Sequence, residues 1–389
     1  MPSALDEIRK FHDELTAIRH DIHAHPELGM EEHRTADLVA RKLEEWGIEV
    51  HRGVGGTGVV GVLRAGNGDQ AVGLRADMDA LAMGEANDIP YASRNPGKMH
   101  ACGHDGHTTM LLGAARYLAE TRNFNGTVNF IFQPGEEGAG GALAMLQDGL
   151  FERFPCNAIY AIHNRPNMPL GQFAIAPGPQ MAGGAFFDIS VRGKGAHGAR
   201  PEESIDPVLA ACHIATALQS IVARNVRPSD TAVLSITKVM GGDAYNVIPQ
   251  YATVSGTART FRPETMDLIE ANMIRVAEGV ASGFGAVATV DFRKIFAPLV
   301  NDAGETQIFG DVAADLVGEG NIDRNKPPGM GSEDFAFMME KVPGAYINLG
   351  NGESAALHNQ LYNFNDEATP FGSALFAGVV ERKLKRGTD

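Results

Sequence analysis

The chain has 389 residues, 44% hydrophobic and 21% charged, enough for two or three domains and too long for a disulfide-stapled scaffold or a peptide module. Its formal charge of −15 argues against a nucleic-acid surface, and the apolar content excludes a disordered chain. Three cysteines, Cys102, Cys156 and Cys212, are an odd number, and no apolar run reaches signal-peptide or membrane-span length, so a reduced, cytoplasmic setting without a membrane segment is expected.

Leu5, Ile8, Phe11, Leu15, Ile18 and Ile22 recur at three- and four-residue steps, which predicts an amphipathic helix. Leu38, Val39, Leu43 and Trp46 predict a second, stopped by Gly47. Gly53 to Gly58 has the glycine spacing of a dinucleotide fingerprint. That motif must open a helix, however, and the β-like run Val59 to Leu63 follows, so a turn is expected. Further apolar runs lie at Ala71 to Ala76, Thr127 to Phe132 and Asn157 to Ile162, with helical stretches at Met110 to Leu118 and Ala142 to Leu146. Buried strands alternating with helices predict an α/β domain around a largely parallel sheet.

From Ala185 the rhythm changes. Strand Phe186 to Val191, helix Asp206 to Ala223, strands Ala232 to Val239 and Ala252 to Thr260, helix Met266 to Val280 and strand Val287 to Phe292 follow in turn. The order β-α-β-β-α-β is that of the ferredoxin-like split unit. The α/β pattern resumes near Pro298, with Ala345 to Leu349 as another buried strand. The expected organisation is an α/β domain in two pieces, residues 1–183 and 298–389, interrupted by an inserted α+β domain at 184–297.

Residues able to do chemistry fall at or just beyond predicted strand ends, where open α/β sheets bind ligands. They are Asp77 and Asp79, the run His100 to His107 with Cys102 and His104 inside it, Glu136 and Glu137, His163, and His358. Each has an ordinary alternative. The aspartates suit turns or caps, the glutamates suit a helix N-terminus, and the lone histidines suit satisfied core or surface positions. Taken together at one sheet edge they favour a metal site. Thiolate, imidazole and carboxylate suit Zn²⁺, Co²⁺, Ni²⁺ or Mn²⁺, and the spacing is unlike a closed structural zinc site. Five ligands exceed the needs of one catalytic zinc and suit a pair of ions about 3.5–4 Å apart. If Glu137 faces a metal, Glu136 is left free beside it as a general base.

Six segments carry a resemblance across nearly the whole chain and in order: Arg75 to Leu81, Met99 to His107, Gln133 to Glu137, Gly193 to Gly198, Met330 to Phe335 and Leu357 to Asn359. They resemble the hippurate hydrolase and indole-acetyl-amino-acid hydrolase branch of the aminoacylase and carboxypeptidase metallohydrolases. The resemblance implies a di-metal-hydrolase catalytic domain with a ferredoxin-like lid and dimerisation domain. It also implies metal ligands Cys102 (bridging), His104, Glu137, His163 and His358, with Glu136 as base. His197 would stabilise the oxyanion from the partner subunit of a homodimer, and Asn246, Arg259 and Gly331 would hold the substrate. A planar guanidinium suits a free α-carboxylate, and the ordinary alternatives are a strand-face charge for Arg259 and a turn residue for His197. Ala82 stands where the family commonly has proline, which touches no ligand. Cys156 and Cys212 read as inert core thiols.

The expected activity is metal-dependent hydrolysis of N-acyl-L-amino acids to a carboxylate and a free amino acid, with two divalent ions, Mn or Zn ahead of Co or Ni. The expected partners are a small-molecule substrate and a second copy of the chain, with neither nucleic acid nor membrane. A dipeptidase or carboxypeptidase using the same site is the nearest alternative. From other classes, a non-catalytic ligand-binding protein and a purely structural zinc protein remain open.

Overall fold

The computed structural model describes residues 3–386. The chain divides into two compact units, one formed by Met1–Gln180, Val300–Pro327 and Asp334–Asp389, the other by Met181–Leu299 and Pro328–Glu333.

The first unit opens with α1 (Ala4–Arg9), α2 (His12–Ala24), α3 (His33–Glu45), β1 (Glu49–Val54), β2 (Gly58–Ala65) and β3 (Ala71–Asp77). It continues through α4 (His104–Thr121), β4 (Gly126–Gln133), α5 (Gly141–Gln147), α6 (Leu150–Arg153), β5 (Ala158–Arg165) and β6 (Phe173–Ala174). The chain passes along β7 (Gly178–Met181) into the second unit: β8 (Gly183–Arg192), β9 (Ala196–His197), α7 (Pro207–Asn225), β10 (Ala232–Gly241), β11 (Val247–Ile248), β12 (Tyr251–Thr260), α8 (Pro263–Gly283) and β13 (Val287–Phe296). It returns through β14 (Leu299–Asn301) to α9 (Ala303–Val317), β15 (Ile322–Asp323), α10 (Phe335–Met339), β16 (Gly344–Gly350) and α11 (Thr369–Lys383).

The sheet of the first unit has the order β1-β2-β4-β3-β5-β16-β6-β15. Its four middle strands, β4, β3, β5 and β16, are parallel. The expected largely parallel sheet is found there and in the β6–β15 pair, whereas β1 with β2, β2 with β4, and β16 with β6 are antiparallel. An apolar run such as β2, buried at all but one position, reveals that a strand is covered on both faces but not which way it runs. The tight turn Gly55 to Thr57 joins β1 to β2, so the turn expected in the glycine-rich segment is present and closes a hairpin.

The first predicted helix is interrupted at Lys10 and Phe11, giving α1 and α2. Gly47, at φ +70°, ends the helical pattern after α3 as predicted. The core runs through Leu15, Ile22, Leu74, Met110, Leu111, Phe130, Phe132, Tyr160 and Ile347, all nearly or fully buried. Each large apolar side chain so placed contributes about 1.5–3 kcal/mol relative to exposure.

The second unit is a four-stranded antiparallel sheet of order β10-β12-β8-β13. Burial alternates residue by residue along β12, the mark of a sheet covered on one face. Ala210, Ile214 and Leu218 of α7 and Ile269 and Met273 of α8 share its core with Phe187, Ile189 and Val254. Strand order and connection together give the ferredoxin-like β-α-β-β-α-β arrangement.

Cys212 corrects an expectation: it is exposed rather than core, because it falls off the α7 stripe that buries Ala210, Ala211 and Ile214. Cys156 is partly buried. Helix α7, of 19 residues, is also the one described helix long and apolar enough to cross a membrane, with mean hydropathy 1.2 over an 18-residue stretch. Its apolar stripe is committed to the sheet of this unit.

Candidate metal centre

The parallel middle of the first sheet brings the carboxyl ends of β3, β4, β5 and β16 to one edge. Asp77 ends β3, Glu136 and Glu137 follow β4 by a few residues, and His163 lies in β5, which runs two residues beyond it. Cys102 stands just before α4, and His104 is the first residue of that helix. His358 arrives from the segment after β16 with φ +61°, and its N–H donates to the Ala101 carbonyl at 2.8 Å, fastening this segment to the one carrying Cys102.

Local contacts orient each side chain. His104 Nδ1 lies 2.9 Å from the Asp79 carbonyl oxygen and 3.1 Å from Asp79 Oδ1, so its proton sits there and Nε2 is turned inward. The other Asp79 oxygen accepts the Glu137 N–H at 2.9 Å. Cys102 Sγ is 3.5 Å from His163 Nε2, and Glu137 Oε1 is 3.2 Å from His358 Nε2 and 3.9 Å from His104 Nε2. Glu136 is 7% exposed. Glu32, fully buried, accepts from the Gly135 N–H at 2.7 Å and the Thr57 hydroxyl at 2.5 Å, holding the turn that presents the two glutamates.

These contacts bring all six residues predicted for the centre together. Donor atoms of Cys102, His104 and His163 lie within 4.8 Å of one another, as do those of Cys102, Glu137 and His358, and those of His104, Glu136 and Glu137. Cys102 is common to the first two triads. Two further observations show that the residues fit metal ions. His104 Nε2 is buried without a hydrogen-bond partner, which in a metal-free site costs roughly 1–3 kcal/mol. The electrostatics also favour positive charge there. Burial opposes charge on His104, yet Asp77 and Cys102 hold the ring's affinity for a proton well above the usual imidazole range. Burial likewise pushes the Cys102 thiol up to about 12, so a thiolate there needs a cation beside it. Burial keeps His163 neutral with its Nε2 lone pair available.

Asp77 and Asp79 prove to be more than turn residues. Asp77 Oδ1 meets His107 Nδ1 at 2.7 Å, and its other oxygen meets Arg75 Nη1 at 2.8 Å. Burial opposes its charge, but His104, Arg75 and His107 together hold the carboxyl well below its ordinary range. Sequence reasoning passed over Asn164, whose only signal was its position directly after His163.

The remaining predicted residues lie in the second unit. His197 of β9 pairs with Val247 of β11, and the Gly198 N–H donates to the Asn246 carbonyl at 2.7 Å, so His197 and Asn246 share one exposed corner. The His197 Nδ1 accepts from the Ala199 N–H at 3.1 Å, which leaves the ring's proton on Nε2. Arg259, on β12, donates through Nη1 to Ser332 Oγ at 2.8 Å, and the neighbouring Gly331 carbonyl accepts from the Ala182 N–H at 2.9 Å. Arg259 pairs with no carboxylate among the described residues.

An α/β unit with a Cys, His and Glu cluster at its strand ends, interrupted by a ferredoxin-like unit, defines a two-domain metallohydrolase class. Residues 73–382 match the family described as Peptidase family M20/M25/M40, and the chain belongs to that family. Hippurate hydrolase from Campylobacter jejuni subsp. jejuni is 44% identical over 382 residues, 98% of this chain and 99% of the relative. IAA-amino acid hydrolase ILR1-like 4 from Arabidopsis thaliana is 41% identical, covering 96% of this chain and 86% of the relative. A crystal structure from Bacillus subtilis, described as a dinuclear metal binding peptidase from the M20 family, superposes with TM-score 0.86 at 36% identity, covering 97% and 99% of the two chains.

Proposed function

We propose that this protein is a metal-dependent amidohydrolase that cleaves N-acyl-L-amino acids to a carboxylate and a free amino acid. The observation carrying the reading is the convergence of Cys102, His104, Glu137, His163 and His358, with Glu136 beside them, in triads whose donor atoms lie within 4.8 Å of one another. Relatives named for hippurate, indole-acetyl amino acids and N-acetylcysteine support the substrate class.

Cys102, His104, Glu137, His163 and His358 would hold two divalent ions, with Cys102 belonging to two of the candidate triads and Mn or Zn favoured over Co or Ni. Bound there, the ions supply polarisation of the amide carbonyl and a water acidic enough to attack it at neutral pH. Glu136 accepts a proton from the attacking water and delivers it to the departing nitrogen as the C–N bond breaks. His197, in a homodimer, serves the active site of a second copy of the chain, where its Nε2–H donates to the developing oxyanion. Arg259 binds both oxygens of the free α-carboxylate, with Asn246 and Gly331 completing the substrate contacts. The enzyme works in the cytoplasm, and the boundaries 1–183, 184–297 and 298–389 separate its catalytic pieces from its lid.

The family's peptidase name supports a second reading, since a dipeptide is itself an N-acyl amino acid. Metal-stripped protein reloaded separately with Mn²⁺, Zn²⁺, Co²⁺ or Ni²⁺ and assayed on hippurate, N-acetyl amino acids and dipeptides tests both. Acyl-amino-acid turnover should exceed dipeptide turnover. The reverse ranking would favour the dipeptidase, and no metal-restored hydrolysis of either would overturn the enzymatic reading.

A further inference from the structure

Asn164 is 1% exposed and carries no reactive group, yet it binds the segments bearing three of the candidate ligands. Its Nδ2 donates to the Cys102 carbonyl at 2.7 Å, and its Oδ1 accepts from the Tyr362 hydroxyl at 2.7 Å, four residues beyond His358. Its own carbonyl lies 2.7 Å from His163 Nδ1, so that nitrogen carries the ring proton and His163 Nε2 is presented, as an acceptor, toward Cys102 Sγ. Its backbone N–H donates to His107 Nε2 at 3.0 Å, and Nδ2 lies at the same distance from that nitrogen. His107 must therefore carry its proton on Nδ1, which it gives to Asp77 at 2.7 Å.

The neighbouring backbone is shaped around this amide. Gly103, between Cys102 and His104, has φ +93°, and a Cβ there would lie 2.3 Å from Asn164 Nδ2 and 2.6 Å from the Tyr362 hydroxyl. Only glycine lets the Cys102 to His104 segment approach Asn164 this closely. A carboxamide meets these demands, because its nitrogen donates to a carbonyl while its oxygen accepts from a hydroxyl.

We propose that Asn164 is a positioning residue for the metal centre, fixing Cys102, His163 and the His358 segment in one arrangement so that the ions meet preset donors. The inference rests on the two-metal reading above. Groups that orient ligands from behind typically govern metal affinity by about 10–100-fold.

The test is metal titration of the metal-free full chain, followed by calorimetry and, for Co²⁺, by thiolate-to-cobalt absorption, with thermal unfolding of the metal-free protein alongside. Asn164→Ala should weaken binding of at least one of the two ions by about 10–100-fold. Asn164→Asp should show the same loss, since its carboxylate cannot donate to the Cys102 carbonyl. Tyr362→Phe, which removes one hydrogen bond to the amide, should weaken binding about fivefold. A folded Asn164→Ala protein that binds two ions with parental affinity overturns the proposal. If Asn164→Ala fails to fold, Tyr362→Phe decides: weaker binding supports the proposal, and parental affinity overturns it. An unsubstituted chain that takes up no metal would overturn the two-metal reading instead, and is distinguished because the defect appears without any substitution.

Discussion

The guanidinium of Arg259 occupies the space that a side chain on Gly184 would need. A Cβ built on Gly184 would lie 1.8 Å from Arg259 Nη1 and 2.9 Å from its Cζ. The two residues are opposite each other in the β12–β8 ladder, so the strand pairing itself sets this approach. Gly184 is a glycine because the charged head of Arg259 lies across its strand toward Ser332.

Gly184→Ala should therefore push Arg259 off Ser332 while leaving the metal centre intact. In steady-state kinetics, KM for N-acyl amino acids should rise roughly tenfold or more with a smaller change in kcat, the pattern of lost substrate binding. A carboxamide analogue, lacking the α-carboxylate, should show little difference between parent and variant. An unchanged KM would leave Arg259 without the role of carboxylate anchor.

Glu136→Gln keeps the shape of the side chain and removes its basicity. It should lower kcat by about 10²–10⁴-fold while elemental analysis still finds about two ions per chain. Activity close to that of the parent would exclude Glu136 as the base.

Cys102→Ser should lower metal occupancy, because Cys102 belongs to both the His163 triad and the Glu137–His358 triad. Elemental analysis after dialysis against a weak chelator measures it. Full retention of both ions would refute the bridging assignment.

Behind the centre lies a buried charge cluster in which His23 Nδ1 meets Asp105 at 2.8 Å and His23 Nε2 meets Glu85 at 3.1 Å. Arg19 reaches the same Asp105 oxygen at 2.9 Å. Burial opposes a proton on His23, but Asp105 and Glu85 prevail and raise the ring to about 9 from an ordinary 6.5. A raised folded-state value stabilises the fold fully below about pH 6.5, and that contribution disappears as the pH rises through about 9. Urea unfolding at pH 6 should show His23→Gln destabilised by about 3 kcal/mol, with the gap to the parent narrowing at pH 9.5. A gap independent of pH would show that His23 contributes through packing rather than charge.

Much of the centre was legible because its chemistry is concentrated in rare residue types. Cys102 and His104 two residues apart, paired glutamates beyond a strand and a histidine directly after the next one are candidate ligands, and it is their meeting at one sheet edge that favours a metal site. The alternation of strands and helices, and its change of rhythm at Ala185, likewise came from periodicities of two and 3.6 that follow from local geometry. Asn164 and Gly103 were not legible, since an asparagine and a glycine are common and acquire their roles only from neighbours distant in the chain, such as Tyr362.

The sequence by itself indicated which residues could bind metal, where many of the strands and helices fall, and that Gly47 stops a helix and the Gly53 to Gly58 run holds a turn, because each depends on side-chain chemistry or backbone freedom within a few residues. Tertiary structure alone decided the direction of β1 and β2, the exposure of Cys212, the clamping of His104 by Asp79 and the placing of Arg259 across Gly184. Those are consequences of strand pairing and close packing between segments far apart in sequence, where a difference of an ångström separates a hydrogen bond from a clash.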